Sequence, residues 1–201
     1  MTARNIGIVL AGGESRRYGS PKALEKMDGE FFYEKAINVL RPLVDKIVIV
    51  AHPSIIEHVS PSATNVTVIT DVESYQGMGP LAGIYSGMKA ETAEEYYVLA
   101  CDMPKMDTAI YQQLAAVKRL LPTDCSVIPT VDGRFQPLAA LYSSAVLDLI
   151  PSLLEKKKRR LTDLIQQTDC AFINYTSKHH KQSFSNVNTP EDFSGLKTRE
   201  N

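Results

Sequence analysis

No excess charge of either sign marks this 201-residue chain: 22 Lys and Arg stand against 23 Asp and Glu, a formal net charge of -1. Such a balance excludes a global attraction to nucleic acid or anionic lipid, so any anion site must be a local arrangement. Cysteine is scarce as well. Cys101, Cys125 and Cys170 are scattered, odd in number and contain no CxxC pair. That argues against a disulfide scaffold or a structural zinc site and fits a reducing cytosol. No apolar run approaches a membrane span, and no charged segment followed by an apolar one opens the chain, so a soluble cytoplasmic protein is expected. Internal repeats, low-complexity tracts and linkers are missing too. At 44% hydrophobic residues, the chain is expected to bury one core over residues 1–196, with a frayed polar tail at 197–201.

What is present is alternation. Short β-branched or aromatic runs, bounded by Asp, Pro or Gly, predict strands. They are NIGIVLA from Asn5, KIVIVA from Lys46, VTVIT from Val66, YYVLAC from Tyr96, CSVIP from Cys125, PLAALY from Pro137 and AFINY from Ala171. Segments of helical period lie between them, at 32–42, 54–59, 81–91, 108–120, 143–154, 160–167 and 190–196. Ser54 after a proline, Pro80 as a first helical residue, and Thr189 as N-cap with Pro190 at N1 and Asp192 at N3 supply start signals. Early strands apolar on both faces point to an α/β fold: a three-layer α/β/α sandwich around a mostly parallel, Rossmann-like sheet. In such sheets ligands bind at the carboxyl ends of the strands. The loops GGESRRYGSPK, DVESYQGMGPL and DMPKM should therefore line one site.

The first of these loops carries the chemistry. Gly12 and Gly13 after a buried strand let backbone N–H groups approach an anion and take dihedrals forbidden to other residues. Arg16, Arg17 and Lys22 add positive side chains suited to phosphate. The glycine spacing is wrong for a P-loop, and the lysine is not followed by Ser or Thr after a Gly, so the Walker reading fails. GMGPLA at 77–82 formally fits GxGxxA, but Ser74, Tyr75 and Gln76 separate it from its strand. A tight turn with Pro80 starting the helix is the simpler account. Asp102 either holds a divalent cation, as Mg²⁺ is held by a carboxylate with substrate phosphates and waters, or caps a turn before Met103-Pro104. EKKKRRLTDL at 155–164 reads as a solvated helix start with Leu161, Leu164 and Ile165 packed inward; Arg159 or Arg160 touching substrate is the alternative. His179-His180 reads as a solvated loop, and Cys101 as a small hydrophobe.

LAGGESRRYGSPKAL at 10–24 resembles the LAGGxSxRMGxxKxL signature of the molybdenum cofactor guanylyltransferase family (MobA-like nucleotidyltransferases). VITD at 68–71, GPLAGI at 79–84, LACDMP at 99–104, QPLAALY at 136–142 and NVNTPEDF at 186–193 match in order. The resemblance implies transfer of GMP from GTP to the phosphate of molybdopterin carrying molybdenum, with release of pyrophosphate and Mg²⁺ as cofactor. It also implies contact with cofactor-synthesis proteins or recipient molybdoenzymes. By this likeness Leu10, Ala11 and Gly12 contact guanine and ribose, while Gly13 and Ser15 belong to the phosphate turn. Arg17 and Lys22 meet the triphosphate, Asp71 binds the nucleotide, Asp102 ligates magnesium, and Asn186 and Asn188 lie near metal and pterin. Tyr18 stands where the family has Met, at a packing position. His52 stands where relatives often have Asn; it reads as a surface histidine at a strand end, with hydrogen-bonding substitution as the alternative. A cytidylyltransferase on the same pterin, a sugar-phosphate nucleotidyltransferase and a non-catalytic nucleotide-binding module are the competing readings. The first typically carries LAAG, and NVNTPED disfavours the second.

Overall fold

The structure is a computed structural model and describes residues 5–13, 18–61 and 64–197, without the side chains of 195–197. Ser15, Arg16 and Arg17 of the first loop therefore lie outside the described residues. The strands are β1 (Asn5–Ala11), β2 (Lys26–Met27), β3 (Glu30–Phe31), β4 (Lys46–Ala51), β5 (Val66–Ile69), β6 (Glu95–Ala100), β7 (Ser126–Val131), β8 (Arg134–Phe135), β9 (Ala139–Ser143) and β10 (Cys170–Tyr175). The helices are α1 (Phe32–Leu40), α2 (Pro80–Ala90), α3 (Thr108–Lys118), α4 (Ile150–Glu155), α5 (Leu161–Ile165), α6 (Lys178–Ser183) and α7 (Pro190–Lys197).

The main sheet runs β10-β7-β9-β6-β1-β4-β5, with β8 paired to β7. β1 is parallel to β4 and β6, β4 to β5, and β7 to β10. β9 is antiparallel to both neighbours. The mostly parallel sandwich expected from the sequence is thus observed, with one reversed strand at its middle.

Period-two alternation splits the apolar residues of each central strand between two cores. Ile47, Ile49 and Ala51 of β4 join Tyr97 and Leu99 of β6 on one face, packed with α1 and α3. Val48, Val50, Tyr96 and Val98 face the other way, toward α2, α4 and α5. Strands buried on both faces must be apolar throughout, which is why β1 and β4 are read without error from the sequence. Each fully buried Ile or Val contributes roughly 1.5–3 kcal/mol relative to exposure, so these strands form a rigid floor.

Helix α2 sits unusually close to that floor. A Cβ added at Gly87 would lie 2.8 Å from Ile8 Cγ2, and one at Gly83 would lie 2.9 Å from Leu10 Cδ2. The two glycines are four apart, on one helix face. Their lack of side chains lets the backbone of α2 approach β1.

Three local expectations differ from the structure. The predicted helix 143–154 breaks into a 3-10 turn (Ser144–Val146) and α4, because Pro151 has no N–H and its ring clashes with the carbonyl of residue 147. The turn after β4 starts at Pro53, capped by His52 rather than Ser54. His179 and His180 lie on helix α6, capped by Ser177, and His180 packs edge-on against Tyr175. By contrast, Thr189 and Asp192 form the expected reciprocal cap: Asp192 N–H donates to Thr189 Oγ1 at 3.2 Å, and Thr189 N–H donates to Asp192 Oδ2 at 2.9 Å.

Candidate active site

The carboxyl ends of β1, β4, β5 and β6 surround a cavity of about 730 Å³. Leu10 to Gly13, Lys22, Asp71, the Gly77–Pro80 turn and Asp102 all line it, so the three loops singled out from the sequence do meet. Leu10 and Ala100 are register partners on β1 and β6, which places the first loop beside Asp102.

Lys22 joins the segments. Its Nζ donates to Asp102 Oδ2 at 3.2 Å, to the Val187 carbonyl at 2.9 Å and to Asn188 Oδ1 at 3.2 Å. The ion pair is largely buried, with side-chain exposures of 14% for Lys22 and 19% for Asp102. Val187 N–H in turn donates to the Asp102 carbonyl at 2.8 Å, so the segment before α7 is fastened to the turn after β6. The N–H groups of Asn188 and Thr189 donate to Asp192, holding its carboxyl below the usual carboxylate range.

Asp102 does not cap a helix; Asp107 caps α3 instead. Its Oδ1 is buried with no hydrogen-bond partner among the described residues. A buried carboxylate oxygen without a donor is costly and calls for an occupant. No cluster of three or more His, Cys, Asp or Glu suited to a metal occurs among the described residues. A cation here would be held by Asp102 together with ligand oxygens, the pattern typical of Mg²⁺.

Asp71 lies across the cavity. Burial raises its carboxyl above the usual value, opposed by the Gly77 N–H, which donates to Oδ2 at 3.4 Å, and by His52. Cys101 beside Asp102 is buried and its thiol is pushed up to about 12, first by burial and then by the Asp102 charge. It packs as a small hydrophobe, as expected.

Two expectations need correction. Gly12 and Gly13 are not among the left-handed glycines; in the first loop that backbone occurs at Gly19 (φ 85°), and across the cavity at Gly77 (φ 71°) and Gly79 (φ 87°), immediately before Pro80 at N1 of α2. Among the described residues, a Cβ at Gly13 would meet nothing within 4 Å. His52 is not a simple surface residue: it is half-buried and lines the cavity. The tight turn read at Gly77–Gly79, with Pro80 starting the helix, is observed; its left-handed backbone and the place of His52 in the cavity lining were not read from the sequence.

Asn186 and Asn188 diverge. Asn188 binds Lys22, whereas Asn186, beyond the buried Val187, lines a second cavity of about 440 Å³ with Gln136, Arg159 and Arg160. The two cavities share Pro80 and Leu138 as walls. Leu161, Leu164 and Ile165 pack inward as expected, but the basic residues at 156–160 form the connection between α4 and α5 rather than a helix start, and Arg159 and Arg160 line one side of this cavity.

Gly83 and Leu10 meet in the wall of the first cavity. In Gly83→Ala the new Cβ would press on Leu10 Cδ2, the flexible end of a side chain in that wall. The thermal midpoint is expected to stay within about 4 °C, while nucleotide affinity falls by about tenfold, a loss readable by calorimetric titration. Unchanged affinity would show that Leu10 does not wall the nucleotide site.

Comparison with known proteins agrees with this geometry. The chain is 37% identical over 190 residues to "Probable molybdenum cofactor guanylyltransferase" of Halalkalibacterium halodurans, covering 94% of this chain and 96% of the relative. It is 40% identical over 193 residues to the protein of the same name from a Geobacillus species, covering 96% and 97%. Its fold matches the crystal structure of molybdopterin-guanine dinucleotide biosynthesis protein A from Archaeoglobus fulgidus with a TM-score of 0.78 at 23% identity, covering 96% and 97%. Residues 7–171 match the MobA-like NTP transferase domain, and the chain belongs to that family.

Proposed function

We propose that this protein transfers GMP from GTP to the phosphate of molybdopterin carrying molybdenum, forming the guanine dinucleotide cofactor and releasing pyrophosphate. The observation that carries this reading is the pair of adjoining cavities. One is lined by Gly12, Gly13, Lys22, Asp71 and Asp102, and the other by Asn186, Arg159 and Arg160. The near full-length likeness to two proteins named as guanylyltransferases supports it.

In this reading the nucleotide occupies the larger cavity, with its base between Leu10, Ala11 and Asp71 and its phosphates toward Gly13, Ser15, Arg17 and Lys22. The acceptor enters the second cavity, where two arginines face an anionic group. An oxygen of the acceptor phosphate attacks the α-phosphorus, and the bond from that phosphorus to the oxygen bridging to the β-phosphate breaks. The electron pair leaves on pyrophosphate. The attacking oxygen is already ionised near neutral pH, so no general base is needed. Catalysis then consists of positioning and charge neutralisation. Lys22, anchored by three acceptors, is held where negative charge grows on the leaving group.

Asp102 would hold Mg²⁺ through its unpartnered Oδ1, and the bound ion would supply positive charge at the phosphate oxygens. Asn188, which already touches Lys22, would orient that lysine, and Asn186 would meet the acceptor. The protein would work in the cytoplasm, receiving the pterin from cofactor-synthesis proteins or passing the product to recipient molybdoenzymes. No helix among the described residues is long and apolar enough to cross a membrane.

The test is pyrophosphate release by purified protein given Mg²⁺, molybdopterin and either GTP or CTP. Turnover with GTP at least about tenfold faster than with CTP is expected, a discrimination within reach of one or two mismatched base contacts. Equal turnover with both, or turnover only when a sugar phosphate replaces the pterin, would overturn the assignment.

A further inference from the structure

Two of the three large hydrophobic side chains that stand exposed among the described residues sit together. Phe135 of β8 and Phe172 of β10 are 41% and 50% exposed, with ring centroids 5.1 Å apart. Phe135 also lines the second cavity, as do Arg159 and Arg160 at the end of the basic run 156–160.

The backbone presents that run to solvent. α4 ends in a turn in which Lys157 N–H donates to the Leu154 carbonyl and Lys158 N–H to the Leu153 carbonyl, both at 2.9 Å. Such a pair of bonds places a left-handed residue just past the helix, usually glycine. Here it is Lys157, at φ 57°. A side chain on that backbone costs roughly 1–2 kcal/mol, and five adjacent cations repel one another. All five are exposed, and none of their side chains has a hydrogen bond or ion pair among the described residues.

A small anion in the cavity would be met by the two arginines. Lys156, Lys157 and Lys158 do not line it, so they suit something larger that stays outside. With a net charge of -1 for the whole chain, the positive excess is local and complements an acidic surface. Exposed aromatic rings beside arginine have the composition of protein contact centres. Nucleic acid fits less well, because Phe135 and Phe172 lie against each other and cover ring surface on which a base would stack.

We propose that the basic run 156–160 and the Phe135–Phe172 pair form one docking surface for an acidic protein that carries the acceptor to the second cavity. Arg159 and Arg160 then receive the acceptor itself, while the three lysines and Phe172 hold its carrier.

This docking surface rests on the nucleotidyl-transfer reading, and the experiment separates the two. Pyrophosphate release would be followed at low salt with Mg²⁺, GTP and molybdopterin, supplied either free or still bound to the protein that formed it. A variant carrying Lys156→Glu, Lys157→Gly and Lys158→Glu reverses the charge outside the cavity. Its glycine suits the left-handed turn, so the fold should hold. It is expected to lose about tenfold or more in kcat/KM with the carried acceptor and less than about twofold with the free one. Salt at about 0.5 M should narrow the gap between variant and parent. Phe172→Ser should raise KM for the carried acceptor by about tenfold and leave that for the free one unchanged. Equal losses with both forms would assign the lysines to the acceptor rather than its carrier, and overturn the proposal. So would undiminished use of the carried form by the triple variant, wild-type protein that uses only the free form, or single-stranded RNA that binds wild-type protein and not the triple variant. Wild-type protein that releases pyrophosphate with neither form would instead remove the nucleotidyl-transfer reading, and the docking surface with it.

Discussion

Asp102→Asn is expected to lower the rate of pyrophosphate release by on the order of 10³-fold, since several kcal/mol of transition-state stabilisation depend on the charge placed there. The substitution is nearly isosteric. Its amide oxygen can still accept from Lys22, and the backbone carbonyl that receives Val187 N–H is untouched. Folding should therefore survive, with a thermal midpoint within about 4 °C of the parent. The change removes the negative charge from the one carboxylate in the cavity that has an oxygen buried and unpartnered among the described residues. Turnover within about tenfold of the parent would mean that Asp102 holds no cation during the reaction. Loss of activity together with a collapsed melting transition would mean that its role is architectural.

Lys22→Met is expected to lose both rate and stability, and that combination distinguishes it from the aspartate variant. Removing one positioned donor from a developing anion costs about 10²–10³-fold in kcat. The same ammonium also serves Asp102 Oδ2, the Val187 carbonyl and Asn188 Oδ1. Without it a mostly buried carboxylate keeps neither its charge partner nor a donor, a loss of about 1–3 kcal/mol. For a chain of this size that lowers the melting midpoint by roughly 2–12 °C. A scanning calorimetry trace superimposable on the parent would show that the three contacts hold nothing together.

The elements that the sequence made plain are those whose environment is uniform. β1 and β4 are buried on both faces, so a continuous apolar run defines them and their ends coincide with the structure. Shorter pieces escaped notice for physical reasons. β2, β3 and β8 are strands of two residues, too short for alternation to appear. Each hairpin nevertheless carries an Asp-Gly pair, Asp28-Gly29 and Asp132-Gly133, with left-handed backbone at both positions. Asp-Gly is the strongest local sign of a two-residue hairpin and could have found both. Helix α6, KHHKQS, has no apolar stripe, so its period is invisible.

The site was legible in outline because strand ends in a parallel sheet must converge. The sequence alone does not bring Asp102 to Lys22, its ion-pair partner 80 positions away. No spacing rule links two residues that meet only through the sheet. Asn188 is held by Lys22 while Asn186 lines the neighbouring cavity, and two asparagines flanking one buried valine carry no local signal that separates them. Ser15 and Arg17, by contrast, lie outside the described residues, and their places in the phosphate turn rest on family likeness.

The distances along the chain have a consequence for how the protein is made. Translation delivers Lys22 early, yet the Val187 carbonyl and Asn188 that receive its protons are 165 and 166 residues further on. Loop closure over such a span comes at the slow, non-local end of folding. A growing chain can thus assemble β1, β4 and β6 around an unfinished cavity before Lys22 has these two acceptors. Its protein partners arrive last, when the segment before α7 docks, so emergence of that segment sets when the newly made protein gains its anchored lysine.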